Sequence, residues 1–284
     1  PLTLVSPVAE KYYESMSDEF LKRSFPCFDY SYANSIPKDW TSILGNPNAE
    51  STIIAYGDSH MGSLIPILDR YGKSNNKRIL FGCVATCSPT IYFSQENVNK
   101  HNAACQIFNK SMQQLAVSSK VDAVIITGFW AAYLRAFKTE KERDTGMLGR
   151  WLADVIAYYN SVDVPLAIIQ DNPTQLLDPL NSINRFDRHI TEEEINLKSI
   201  SLYDFQRSQN YLWTDFQNNT ILSKKVTLIQ TSDVLCDFER CPLISNGKFL
   251  YIDDDHLSEA GIMKIYGVFE QNLNQLFEKK NHTR

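Results

Sequence analysis

Five short apolar runs divide the chain: STIIAYG (51–57), RILFGC (78–83), DAVIITG (122–128), VPLAIIQ (164–170) and VTLIQTS (226–232). Each is rich in β-branched residues, has the length of a strand and lacks polar alternation, which is the pattern of a strand covered on both faces. Helical periodicity occupies 63–72, 107–119, 147–161, 201–218 and 261–280. Strands alternating with helices are the mark of βαβ units, so the pattern predicts an α/β three-layer sandwich with a five-stranded, mainly parallel central sheet. Residues 1–50, which include FPCFDYSYANSIPKDW, break the rhythm and read as an extension packed on a domain spanning 51–284. The polar stretch 175–200 is long for a connection in a compact domain and reads as a lid or binding loop.

In open α/β sheets, ligands sit beyond the carboxyl ends of the strands. The first run ends in Gly57-Asp58-Ser59-His60, with a helical pattern just behind it and Pro66 placed for a first turn. Ser59 is thus expected in a strand-to-helix turn, where backbone N–H groups can face a developing oxyanion. Gly57 is assigned to the tight turn, and Asp58 and His60 to structural roles.

A serine needs a base to become a nucleophile. Of the five histidines, His101, His189 and His282 lie in polar segments, and His60 is too close in sequence to address Ser59 Oγ. His256 remains, in YIDDDHLSEAGI, after the last strand pattern and before the last helix. Asp253, three positions earlier, can reach its Nδ1 in a turn while Nε2 stays open to a hydroxyl. A solvated acidic loop, with Ser258 capping the next helix, is the plainer reading of that segment taken alone. The pairing of GDS after the first strand with DxxH before the last helix favours the catalytic one.

The formal charge is −5, from 28 basic and 33 acidic residues, and there is no Lys/Arg block, which argues against a nucleic-acid or polybasic membrane surface. No uninterrupted apolar window of about 18 residues occurs, and no signal-peptide pattern opens the sequence. The six cysteines suit three disulfides better than zinc, because Cys83 and Cys87 have no second Cys/His pair at ligand spacing. Six cysteines allow fifteen connectivities; Cys87 with Cys105, Cys236 with Cys241 and, by elimination, Cys27 with Cys83 are expected. Oxidised cysteines imply a periplasmic or extracellular address.

GDSH followed by DDDHLSEAG resembles the SGNH (GDSL-like) hydrolase superfamily. More narrowly, with CSPT…C and CDFERCPLISNGKFLYIDDDHLSEAG, the chain resembles the periplasmic SGNH domain fused to membrane acyltransferase-3 domains in polysaccharide O-acetyltransferases. The resemblance covers roughly residues 51–280 and implies a flavodoxin-like fold. It implies Ser59 as nucleophile, His256 as general base and then acid, and Asp253 as the residue that orients it. The superfamily's second and third motifs supply a Gly and an Asn to the oxyanion hole; here the third-strand end reads TGFWAAY, with Gly128 in place but Trp130 where Asn is expected. The Ser59 N–H and the 84–88 loop are the expected donors instead.

Such a triad forms an acyl-enzyme whose fate depends on whether water or another hydroxyl reaches it. The resemblance implies acetyl transfer to a hydroxyl of a bacterial surface polysaccharide such as lipopolysaccharide O-antigen. The ultimate donor is then acetyl-CoA, handled by an integral-membrane acyltransferase-3 domain of the same parent chain at the periplasmic face of the inner membrane. No cofactor is expected on this domain, since it lacks a Gly-rich phosphate loop. Of Trp130, Tyr133, Trp151, Tyr211 and Trp213, only Trp130 and Tyr133 follow a strand end and are expected to line the site, with Arg188 and His189 as secondary acceptor contacts. A free-standing carbohydrate esterase and a non-catalytic glycan-docking module are the alternatives.

Overall fold

The computed structural model describes residues 7–15, 27, 41–90, 100–119, 121–135, 147–183, 190–209 and 225–281. The elements used below are helix α1 (Pro7–Glu14), strands β1 (Ser42–Gly45) and β2 (Thr52–Gly57), helices α2 (Ser59–Ser63) and α3 (Ile65–Ser74), and strand β3 (Arg78–Cys83). They continue with α4 (Lys100–Ser118), β4 (Ala123–Thr127), α5 (Trp130–Arg135), α6 (Met147–Ser161), β5 (Leu166–Ile169), β6 (Val226–Ile229), a small hairpin and the terminal helix α7 (Glu259–Asn281). Pro66 falls in the first turn of α3, where its missing N–H breaks no helical bond.

The five apolar runs form the parallel strands β2 to β6, and the sheet order is β1-β3-β2-β4-β5-β6. The sixth strand is β1, which pairs antiparallel with β3 and comes from the stretch read as an extension. Parallel strands must send alternate side chains to opposite faces, and both faces here are apolar. Ile53, Ala55, Ile125 and Ile169 pack with α1, α3 and α7 through residues such as Tyr12, Leu68, Tyr71 and Phe269. Ile54, Tyr56, Ile126 and Ile168 pack on the other face with Phe108, Met112, Leu152 and Val155 of α4 and α6.

From β2 the chain moves to β3 on one side and returns across to β4 on the other. The carboxyl end of β2 is therefore the point where the winding reverses, the place an α/β sheet opens a crevice. The three strand ends are level there, with Gly57 opposite Cys83 on one side and Thr127 on the other. Gly57 is required by that closeness rather than by a turn conformation: a Cβ would lie 2.0 Å from Thr127 O, and the residue's φ is not positive.

All six cysteines are paired: Cys27–Cys83, Cys87–Cys105 and Cys236–Cys241. The first ties Cys27 to the last residue of β3. No helix among the described residues is long and apolar enough to cross a membrane.

Candidate active site

Ser59 sits at the first position of α2, straight after the end of β2. The turn is held by Asp58, a buried N-cap whose Oδ1 accepts the His60 N–H at 2.9 Å. Its Oδ2 accepts the Phe129 N–H at 2.7 Å and the Tyr133 hydroxyl. One carboxylate thus fastens the serine turn to the segment after β4. Burial first, and the Asp58 charge next, push the Tyr133 phenol well above its ordinary value, so it stays a donor. Asp58→Ala removes the acceptor of these three hydrogen bonds and is expected to cost on the order of 3 kcal/mol, measured by urea unfolding. An unchanged midpoint would show that the turn does not depend on this carboxylate.

The loop that carries His256 is closed by its own backbone. Ile252 N donates to His256 O at 2.9 Å, and Asp253 Oδ1 accepts the N–H groups of Asp255 and His256 at 3.1 and 2.7 Å. Ser258 then opens α7, its Oγ donating to Phe249 O and accepting from Gly261 N. The capping role and the catalytic placement of this segment coexist.

This loop brings His256 over Ser59. Its Nε2 lies 2.9 Å from Ser59 Oγ, and its Nδ1 lies 2.9 and 3.2 Å from Asp253 Oδ2 and Oδ1. All three side chains are half-buried, accessible from the crevice. With Nδ1–H held by a carboxylate, Nε2 can take the Oγ proton, so the arrangement can generate an alkoxide-like nucleophile.

Behind this trio lies a group that sequence reasoning did not assemble. Asp255 Oδ1 makes a second contact with His256 Nδ1 at 2.6 Å, and Asp255 Oδ2 lies 3.9 Å from Nε2 of the buried His60. Burial opposes charge on His256, but Asp253 and Asp255 outweigh it and push the imidazole up to about 10. Asp171, fully buried after β5, is pushed up to about 7 by that burial. The signal was available: Asp171 and Asn172 directly follow the fourth apolar run, at a strand end of the kind that carries ligands.

The residues expected to line the site sit elsewhere. Trp130 is fully buried, its Nε1–H donating to Ile169 O at 3.0 Å, so it belongs to the core. Tyr133 is also buried and supports Asp58 instead of facing the crevice. Gly128 is buried too, and the space a Cβ would need is filled by Pro89, Asp58 and Tyr133 at 3.1 to 3.3 Å. The aromatic of that segment that is not fully buried is Phe129, stacked on His60 at 4.9 Å. In the loop after β3, Val84 N donates to Gly57 O, while Ala85 and Thr86 are exposed. Arg188, His189, Tyr211 and Trp213 lie outside the described residues.

Residues 26–271 match the family described as an SGNH domain fused to AT3 domains. The chain belongs to that SGNH family. Among solved structures, the fold is similar to the periplasmic domain of a Salmonella ser. Paratyphi A lipopolysaccharide acetyltransferase, at 14% identity and a TM-score of 0.63, covering 90% of this chain and 94% of that one. A family 3 carbohydrate esterase of Clostridium thermocellum is a more distant neighbour, at 15% identity and a TM-score of 0.43 over 80% of this chain and 97% of that one. A comparison with curated proteins finds no match. The likeness at a TM-score of 0.63 agrees with the α/β sandwich read from the sequence, with six strands in place of five.

Proposed function

We propose that this SGNH domain transfers an acetyl group, through an acyl-enzyme on Ser59, to a sugar hydroxyl of an extracytoplasmic polysaccharide such as lipopolysaccharide O-antigen. The observation that carries the reading is the Ser59 Oγ–His256 Nε2 contact of 2.9 Å with Asp253 on the opposite ring nitrogen. Ser59 Oγ attacks the acetyl carbonyl as His256 takes its proton. His256 then returns that proton to the leaving group, so the acetyl ester forms on Ser59. In the second half, His256 deprotonates the incoming sugar hydroxyl, which attacks the ester and restores Ser59. The Ser59 N–H, with a second donor from the 84–88 loop, is assigned to the oxyanion in this reading.

The family's fusion to AT3 domains supports an integral-membrane acyltransferase-3 partner in the same parent chain, which would pass on acetyl from acetyl-CoA. In this reading the domain works in the periplasm and holds no cofactor of its own. The fold shared with a lipopolysaccharide acetyltransferase domain makes that class of acceptor the first to try. The test compares polysaccharide O-acetylation in cells producing the parent chain with and without Ser59→Ala. Loss of acetylation is expected; acetylation that persists would reduce this domain to a docking module. Rapid hydrolysis of acetylated sugar by the isolated domain, without transfer, would make it an esterase.

A further inference from the structure

We propose that Asp255 and His60 are positioning residues for His256, Asp255 as a second carboxylate on its Nδ1 and His60 as the ring whose Nε2 faces Asp255 from behind. The inference rests on the reading of His256 as the general base. Three observations carry it. Nδ1 of His256 is in contact with two carboxylates, with Asp253 in hydrogen-bond geometry at 2.9 Å and Asp255 Oδ1 at 2.6 Å. Asp255 turns its other oxygen to His60 Nε2 at 3.9 Å, and the two imidazole rings lie 4.9 Å apart. His60 is buried, and among the described residues its Nε2 has no hydrogen-bond partner.

His60 is fixed on every side. Phe129 stacks on its face, Asn172 Nδ2 lies 3.4 Å from its Nδ1, and Asp171 Oδ1 lies 3.6 Å from the same atom. Asn172 Nδ2 also donates to Asp255 O at 3.2 Å, tying the loop of the second carboxylate to the end of β5. With an amide donor at Nδ1, the neutral ring carries its proton on Nε2, facing Asp255. Burial disfavours charge on His60, but Asp255, Asp58 and Asp171 outweigh it and raise its pKa. Burial likewise opposes ionisation of Asp255, and its contacts with His256 and His60 overcome that and hold its carboxyl far below the usual range.

The charges facing this pair are therefore Asp58, with the Tyr133 hydroxyl on it, Asp171, Asp253, Asp254 and His256. Two carboxylates on one imidazole stabilise its protonated form and so oppose its use as a base. The proton on His60 Nε2, facing the outer carboxylate, draws on its negative charge and reduces that effect. The arrangement gives the two residues opposite signs, which a merely structural role does not.

The test is an NMR titration of the His256 ring in the domain carrying Ser59→Ala, alone and combined with Asp255→Asn or His60→Gln. Asp255→Asn should lower the midpoint by about one to three pH units, and His60→Gln should raise it. In the Ser59 enzyme, the rising limb of kcat/KM against pH for p-nitrophenyl acetate should move in the same two directions. A midpoint that stays put or rises with Asp255→Asn, or one that stays put or falls with His60→Gln, overturns the proposal. If His60→Gln gives no folded spectrum, Asp255→Asn decides alone. The ring titrates whether or not Ser59 is a nucleophile, so failure here is separate from failure of the acetyl-transfer reading, which appears as full activity in Ser59→Ala.

Discussion

Ser59→Ala should lower kcat/KM for p-nitrophenyl acetate by about ten-thousand- to million-fold while leaving the domain folded. The side chain offers one hydroxyl, and its bond is to His256 Nε2. Removing it deletes the only atom that can carry the acyl group, while the oxyanion donors and the base stay in place. The residual rate is then that of water attacking a positioned ester. Because Ser59 is half-buried and its hydroxyl does not hold the turn together, the unfolding midpoint should move by no more than about 0.5 kcal/mol in free-energy terms. A variant that is folded and turns over within tenfold of the parent would sink the nucleophile assignment.

His256→Ala should cost a similar factor, and the double variant Ser59→Ala/His256→Ala should be no worse than either single one. A nucleophile and its base act as one unit, so removing the second partner removes nothing further. Losses that multiply in the double variant would mean that His256 and Ser59 work independently. The same histidine sets the pH dependence. Its pKa is pushed up to about 10, so the neutral base is the minority form at pH 7 and grows as pH rises. Activity should therefore climb from neutral toward alkaline pH. A falling profile over that range would remove His256 as the base.

Most of the frame was legible because it is written in side chains. Strands β2 to β6 are continuous apolar runs, and the end of the first and the start of the last helix carry residue types that need each other. β1 was missed for a physical reason: Ser42 and Ile43 are exposed, and this short edge strand is held by backbone pairing with β3, which leaves no hydrophobic pattern. Trp130 and Tyr133 were misplaced because position after a strand fixes where a residue starts, not which way its side chain turns. α5 sends both back into protein, one to Ile169 O and the other to Asp58. Asp58 and His60 were assigned to structure, and Asp58 does hold the turn. His60 acquires its neighbours only in three dimensions, from Asp171 and Asn172 after β5 and from Asp255 nearly two hundred residues later.

The Cys27–Cys83 bridge closes a loop of 56 residues in sequence separation, and its Cys27 Sγ rests 3.7 Å from Asp58 O, in the turn that presents Ser59. A cross-link over such a loop stabilises a folded chain by about 4 kcal/mol through the entropy it removes from the unfolded one. Here the cross-link itself lies against the turn that presents the reacting serine. The redox state of the surroundings thereby becomes a component of the active site, since a medium that reduces this bond frees Cys27 from the turn behind Ser59 while leaving every residue of the trio chemically intact.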